Sequence, residues 1–313
     1  MSITVLNPGL LTTVQDQGRT GYQQFGVSVS GAMDPRAAAL ANILAGNDPG
    51  EAVLECTLLG PQLRFDRANC IAITGGDLGP TLDGRPIPNS AAVPVQAGQV
   101  LRFTAPRTGC RAFVAFTGGL DIPPVMGSRS TYQKAKLGGF QGRKLEKGDR
   151  IGFRAPAEAL PRMADRRMAP DFVPRPVYEL RVILGPQDDA FTQEGVDTFL
   201  GRTYTVTQES DRMGCRLAGP PVAHRDSADI ISDGIAFGAV QVPSSGAPII
   251  MLADRQTTGG YTKIACVISA DFRILAQLKA GDKLRFAAVG VDFAQNLLLA
   301  RRAALRALSK ING

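Results

Sequence analysis

Ile71-Ala72-Ile73-Thr74, running into Gly75-Gly76-Asp77, and Ala112-Phe113-Val114-Ala115-Phe116, running towards Gly118-Gly119, decide the fold class. Each is a short apolar run that stops at glycines. Runs of this length recur along the first half of the chain, punctuated by a share of 35 Gly and 21 Pro in the whole sequence. That spacing argues for strands of barrels or sandwiches rather than βαβ units. The chain is mainly β.

A turn-then-strand signal appears three times. Val95-Gln96-Ala97-Gly98-Gln99-Val100-Leu101-Arg102-Phe103 is similar to Leu278-Lys279-Ala280-Gly281-Asp282-Lys283-Leu284-Arg285-Phe286, and Lys147-Gly148-Asp149-Arg150-Ile151-Gly152-Phe153 is a third copy. Each has Gly where a tight turn needs positive φ, followed by an alternating strand. The repeat suggests two lobes. Between them lie Pro156, Pro161, Pro170, Pro174 and Pro176 with a basic cluster at 162–167 and no sustained periodicity. Such a segment is stiff and exposed. The expected division is a first lobe over 1–158, a linker over 159–173, a second lobe over 174–290 and a C-terminal helix over 291–313.

Helices are few. Asp34 is a natural N-cap, Pro35 sits at the first helical position and Gly46 ends the run. A second helix is expected over Asp188–Leu200, stopping at Gly201. A third runs from about Asp292 to Ile311, with Leu297, Ala300, Ala304, Leu308 and Ile311 on one stripe and arginines opposite.

With 313 residues, 44% hydrophobic and 20% charged, the chain has the composition of a globular protein. Ile249-Ile250-Met251-Leu252-Ala253, among its longest apolar stretches, is far short of the ~20 residues a membrane helix needs. The N-terminus lacks the basic and apolar regions of a secretory leader, so a cytoplasmic location is expected. Five cysteines at 56, 70, 110, 215 and 266 have no metal-site spacing and are read as buried, reduced thiols. The net charge of +7 comes from basic residues that are mostly scattered, without Trp or a nucleic-acid motif. An anionic substrate or an acidic partner protein fits better than nucleic acid.

Several chemistries are missing. His224 is the single histidine, so a multi-histidine metal site is excluded, and it is read as a surface or capping residue. There is no G-x-S-x-G elbow, no G-x-x-x-x-G-K-[ST] loop, no G-x-G-x-x-G and no Met-Lys-Met biotin-attachment sequence.

Three loops carry what remains. They are Gly127-Ser128-Arg129-Ser130-Thr131-Tyr132 with the following Leu137–Arg143, Ser210-Asp211-Arg212-Met213-Gly214-Cys215-Arg216-Leu217, and Ala253-Asp254-Arg255-Gln256-Thr257-Thr258-Gly259-Gly260-Tyr261-Thr262-Lys263. Each sets an arginine among hydroxyls or glycines. Arg offers a rigid fork of donors for a carboxylate, phosphate or developing oxyanion, and Gly admits the backbone N–H to the same ligand. Asp211 beside Arg212 and Asp254 beside Arg255 point to opposite faces of extended chain, which leaves each arginine available. The competing reading is that these arginines brace the loops by bonding carbonyls. Taken together, the three loops favour a shared anion-binding cleft.

The run Val27-Ser28-Val29-Ser30-Gly31-Ala32-Met33-Asp34, then Gly127-Ser128-Arg129-Ser130-Thr131, Asp211-Arg212-Met213-Gly214, Gln241-Val242-Pro243 and Thr257-Thr258-Gly259-Gly260-Tyr261, resembles the allophanate hydrolase subunit 2 family. This family is also called biotin-dependent carboxyltransferase-like, and the motifs occur in the same order from Ile3 to about Phe286. The resemblance implies two cyclophilin-like β-barrel lobes. It also implies a heteromer with a B-type partner, which is allophanate hydrolase subunit 1-like, and an active site between the two. Its 5-oxoprolinase members open the 5-oxoproline lactam to glutamate with ATP and a third subunit. Its urea-directed members transfer carboxyl from carboxybiotin, and its KipA-type members are non-enzymatic regulators that bind a kinase inhibitor.

A subunit of an ATP-dependent 5-oxoprolinase, inactive alone, is the leading expectation. ATP belongs to that assembly without necessarily touching this chain, and biotin enters only under the urea reading. Developing negative charge on an amide-like oxygen is common to both reactions and calls for preorganised donors. Arg129, Arg212 and Arg255 are the expected anion or oxyanion binders. Ser130, Thr131 and Thr258 would orient substrate, and Gly259 and Gly260 would give backbone donors. Met213, Gly214, Gln241, Tyr261, Ser30 and Gly31 complete the expected binding set. Lys263 or Asp254 is the expected proton-handling group, with Arg255 beside them. Asp34 is read as the cap of the Pro35 helix.

Overall fold

The computed structural model describes residues 2–156 and 160–312. They divide into two compact units, one of residues up to 20, 30–174 and 303 onward, the other of 21–29 and 175–302. The Pro-rich stretch expected as a linker is grouped with the first unit.

In the first unit the two deciding stretches are neighbours. Strand Thr108–Phe116 pairs antiparallel with Asn69–Asp77, Val114 opposite Ile73 and Phe116 opposite Ile71. They lie within a five-stranded sheet ordered Leu11–Gln15, Val53–Thr57, Thr108–Phe116, Asn69–Asp77, Ala92–Val95. Alternate residues of these strands face opposite ways. Ile71, Ile73, Ala112, Val114 and Phe116 join the main core, together with Ile3, Val5, Leu63, Phe65 and Leu101 of a second, six-stranded sheet. Ala72, Phe113 and Ala115 face the other way and pack on helix α1 (Pro35–Leu44) through Ala37, Ala38, Ala41 and Leu44. Burial on both faces explains why the runs are continuously apolar instead of alternating. Leu44, 4% exposed, contributes about 1.5–3 kcal/mol by burial.

Helix α1 starts as expected. The Asp34 carboxylate accepts from the Arg36 and Ala37 N–H groups at 3.0 and 2.9 Å, and Pro35 is the first helical residue. Burial outweighs these bonds and pushes the Asp34 carboxyl up to about 6.

The second unit contains a closed seven-stranded barrel. Its order is Tyr178–Leu184, Lys263–Val267, Ala239–Gln241, Ile249–Met251, Gly214–Ala218, Tyr204–Val206 and Lys283–Ala288. The last strand closes on the first in parallel, Phe286 opposite Leu180. Phe286 stacks on Phe199 of helix α2 (Gln193–Gly201) at 4.2 Å between ring centroids. A separate two-stranded ribbon pairs Asp229–Gly234 with Thr258–Tyr261. Helix α2 is shorter than expected: Asp188–Ala190 is a single 3-10 turn, Phe191 is extended, and Thr192 caps the helix by accepting the Gly195 N–H. The bridge of Phe191 to His224 holds that residue out of helical conformation.

The threefold turn signal has one structure. Gly98, Gly148 and Gly281 have φ of +86, +94 and +89°. Each donates its N–H to a neighbouring strand, at Phe65, Val5 and Val206 respectively, and the next residue's carbonyl accepts an N–H back from that same strand residue. The side chains of Gln99, Asp149 and Asp282 each accept the N–H three residues upstream.

Helix α3 (Phe272–Leu275) has no counterpart among the expected elements, and helix α4 spans Val291–Asn312. In α4 the buried stripe differs from the expected one. Ala294 is buried, Leu297 packs on the Ile268 and Ala270 cluster, and the Arg301 guanidinium donates to the Ala270 carbonyl. Ala300 and Ala304 are exposed, so the arginines are not all opposite the packed face. The 3.6-residue period puts 294, 297 and 301 on one side, and Arg301 reaches back to a carbonyl.

The five cysteines are free thiols, four of them buried and Cys266 half-buried. Among the described residues no helix is long and apolar enough to cross a membrane.

Candidate functional site

In the first unit, a residue outside the expected set organises the Gly127–Thr131 loop. Asp16 is 6% exposed, and its carboxylate accepts from Ser128 Oγ and Ser130 Oγ at 2.6 Å each, from the Arg129 N–H at 2.5 Å and from the Gly18 N–H at 2.8 Å. Ser130 Oγ in turn accepts the Asp16 N–H. Thr131 Oγ donates to the Val14 carbonyl at 2.9 Å. Ser130 and Thr131 are fully buried, so their hydroxyls serve the scaffold in this conformation. Close packing continues behind them: a β-carbon at Gly139 would collide with Thr131 Oγ1, and one at Gly138 with the Ser130 carbonyl.

Arg129 is half-buried. Its Nε donates to the Ile122 carbonyl at 2.8 Å, and Nη1 lies 3.8 Å from Glu51, a buried carboxylate that also pairs with Arg154. Ser30 and Gly31 form the entry to α1. Ser30 takes a left-handed φ of +54° and is buried, with no partner for its Oγ among the described residues, while Gly31 has φ +90° and its α-carbon faces the Gly18 backbone.

In the second unit, the availability expected of the arginines does not hold. Arg212 binds Asp254 through two bonds, Nε to Oδ2 at 2.9 Å and Nη2 to Oδ1 at 3.1 Å, with both residues buried. Both carboxylate oxygens of Asp254 are engaged by Arg212. Arg255 is 8% exposed, and donates to the Ile235 and Leu252 carbonyls at 2.9 and 3.2 Å. Its guanidinium lies 5.7 Å from the Phe237 ring centroid, and burial lowers its pKa from the usual range. Both arginines brace their loops. The geometry follows from the barrel, which brings 212 beside 254 through strands distant in sequence. Met213 and Gly214 donate their N–H groups to Asp211, forming a turn rather than a donor cradle turned outward.

The remaining expected residues come together at one end of the barrel. Lys263 is 2% exposed, and Nζ donates to Asp233 Oδ2 at 2.8 Å. Lys263 lies directly across from Gln241 on the neighbouring strand, and Asp233 across from Gly259 in the ribbon. Gln187 accepts the Lys263 N–H at 3.1 Å. At Gly259 a β-carbon would stand 2.9 Å from Gln241 Nε2 and 2.7 Å from Ile235, with Gln256 Nε2 at 3.6 Å. Thr258 and Tyr261 are exposed on the ribbon, and Gly260 lies between them. His224 meets the residue that follows the ribbon: its Nε2 is 3.0 Å from Thr262 Oγ1, its ring rests against Phe191, and burial lowers its pKa.

Asp16, Asp233, Gln187 and Gln256 lie outside the set expected from the sequence. Asp16-x-Gly18 carries the Asx-turn signature, but nothing in it points to residues 128–130. Among the described residues no group of three His, Cys, Asp or Glu is placed to hold a metal.

These features belong to a recognisable lineage. The carboxyltransferase domain, subdomain A and B, family model matches residues 25–288. The C-type subunit of Escherichia coli 5-oxoprolinase is 36% identical over 285 residues, covering 91% of this chain and 90% of that protein. The urea amidolyase of Saccharomyces cerevisiae is 32% identical over 98% of this chain, which spans 18% of it. The crystal structure of Kluyveromyces lactis urea carboxylase superposes with a TM-score of 0.92 at 30% identity, covering 98% of this chain and 29% of that one. With a family match across most of its length and relatives above 30% identity, the chain belongs to the carboxyltransferase domain, subdomain A and B, family.

Proposed function

We propose that this chain is the C-type subunit of an ATP-dependent 5-oxoprolinase, acting with a B-type partner and a third subunit to open the 5-oxoproline lactam to glutamate. The observation that carries the reading is the match to the C-type subunit of the Escherichia coli 5-oxoprolinase at 36% identity across nine-tenths of both chains. The relative from Haemophilus influenzae agrees, at 35% identity over 94% of each.

Lactam opening puts negative charge on the carbonyl oxygen, and fixed donors in a dry site stabilise it most. On this chain the residues suited to bind or polarise substrate are Lys263, Gln241 and Gln256 about Gly259 in the second unit, and the partly exposed Arg129 in the first. Arg212, Asp254 and Arg255 hold the 210–214 and 253–257 loops in position. Ser130 and Thr131 do the same for the Arg129 loop. ATP is assigned to the assembly. Gly127–Thr131 folds as a loop stapled to Asp16 and Thr258–Tyr261 as a ribbon strand, so neither stretch forms a glycine loop leading into a helix N-terminus of the kind that cradles phosphates.

A second reading is supported by fold similarity, since the TM-scores to urea carboxylase and urea amidolyase are 0.92 and 0.90. On that reading the chain transfers a carboxyl group to a urea-type substrate with biotin on a separate carrier. Reconstitution with the partner proteins, offering 5-oxoproline and urea side by side, separates the two. ATP hydrolysis that depends on 5-oxoproline and yields glutamate is expected. Absence of turnover with all components present, or biotin-dependent carboxylation of urea, overturns the proposal.

A further inference from the structure

The ion pair of Lys263 with Asp233 is asymmetric. The lysine side chain is 3% exposed and the aspartate 54%. A buried ammonium is costly without an anion beside it, whereas an exposed carboxylate returns to water at little cost. The barrel therefore sets a buried cation in need of a carboxylate, and the carboxylate now supplied is half exposed, with the Gly234 N–H as a further donor to it. Asp233 sits on the ribbon strand Asp229–Gly234, whose register slips between Asp229 and Asp233, and whose Ile231 is 95% exposed. That strand has little packing to hold it.

The surroundings of Lys263 suit a small planar acid. Gln241 is 2% exposed and faces Lys263 across the strand pair, and among the described residues its amide makes a single long contact, 3.5 Å to the Tyr261 carbonyl. The Gln241 and Gln256 amide nitrogens lie beside Gly259, where a β-carbon would come within 2.9 and 3.6 Å of them and press on the tip of Ile235 at 2.7 Å. A cation and an amide on one strand pair, a glycine on the ribbon and a second amide on the loop leading into it stand together.

We propose that Lys263 anchors a binding site for the carboxylate of a small-molecule substrate, and that Asp233 fills this site in the resting chain and is displaced by that carboxylate. The amides of Gln241 and Gln256 would then meet the neighbouring polar group of the ligand. The inference rests on the 5-oxoprolinase reading for its substrate class, a cyclic amide bearing a carboxylate.

Titration calorimetry on the full chain tests it, with 5-oxoproline, acetate and 2-pyrrolidinone, the lactam that lacks the carboxylate. A tethered carboxylate competes at an effective concentration of about millimolar. Asp233→Asn is therefore expected to lower the Kd for 5-oxoproline and acetate at least tenfold and to leave 2-pyrrolidinone unchanged. Lys263→Met in the Asp233→Asn background is expected to abolish the gain. Thermal melts accompany each variant, and if the Lys263 variant does not fold, the wild type against Asp233→Asn decides alone. No tightening for either carboxylate overturns the inference, even where the reconstituted enzyme turns over 5-oxoproline. Tightening for acetate with no preference for 5-oxoproline leaves the carboxylate site standing and counts against the 5-oxoprolinase reading.

Discussion

Arg212 and Asp254 form a closed pair: two parallel bonds of 2.9 and 3.1 Å join them, and a third runs from the Asp254 N–H to the Arg212 carbonyl at 2.9 Å. Backbone and side chain thus clamp the same two residues. The loops they belong to, 210–214 and 253–257, are held in register by this contact, and Arg255 extends the brace to Ile235.

Removing one member takes from the other a buried ionic partner held by two hydrogen bonds. Asp254→Ala is expected to destabilise the chain by about 3–5 kcal/mol, and Arg212→Lys by nearly as much, because an ammonium cannot reproduce the fork. Urea unfolding monitored by circular dichroism checks both. An Asp254→Ala chain as stable as wild type would show that the pair contributes nothing.

Asp16 accepts four hydrogen bonds, three of them from residues 128–130. Bonds to a charged group contribute about 1.5–3 kcal/mol each at most, and they are not additive. Asp16→Ala is expected to free the 127–131 loop and expose Arg129 to trypsin at a rate at least tenfold above wild type. Hydrogen exchange at residues 128–131 should rise in step, with the second unit unaffected.

Two glycines separate conformational cost from collision. Gly98 has φ +86° and open space where a β-carbon would stand, so Gly98→Ala is expected to cost about 1 kcal/mol through its backbone alone. Gly139 has φ +55°, and a β-carbon there would run into the buried Thr131 hydroxyl. Gly139→Ala should cost at least twice as much. Thermal melts of the two variants rank them.

The carboxyl of Asp34 titrates at about 6, raised by burial above its ordinary value of 3.8. Between these values the folded chain binds the proton that the unfolded chain releases, so this group makes stability rise as pH falls. Over the window from about pH 7 to 4 the gain is on the order of 2–3 kcal/mol. Asp34→Asn should lack this slope. Subtracting its unfolding free energy from that of wild type at several pH values isolates the effect, and a flat difference would refute it.

Much of the architecture could be read from local chemistry. The apolar runs at 71–74 and 112–116 are strands and pair with each other. Both ends of helix α1 were legible because Asp34 and Pro35 at its start and Gly46 after its end each have one strong local preference there. The three glycine turns were legible because a positive φ is a property of one residue and its neighbours. Helix α2 was less so, since the bridge from Phe191 to His224 connects residues 33 positions apart in chain.

The candidate site divides in the same way. That Arg212 and Arg255 matter to their loops follows from an arginine set among glycines and hydroxyls, yet their partners do not. The sequence neighbour of Arg212 is Asp211, but its ionic partner is Asp254, supplied by a loop adjoining another barrel strand. Asp233 is likewise far from Lys263 along the chain, 30 positions away. Sequence by itself determined the elements, the tight turns and the kinds of donor present, because these depend on side-chain shape and backbone freedom within a few residues. Only the tertiary structure decided which charges meet and which are buried. Electrostatic pairing and desolvation depend on distances between residues that strand pairing alone brings together.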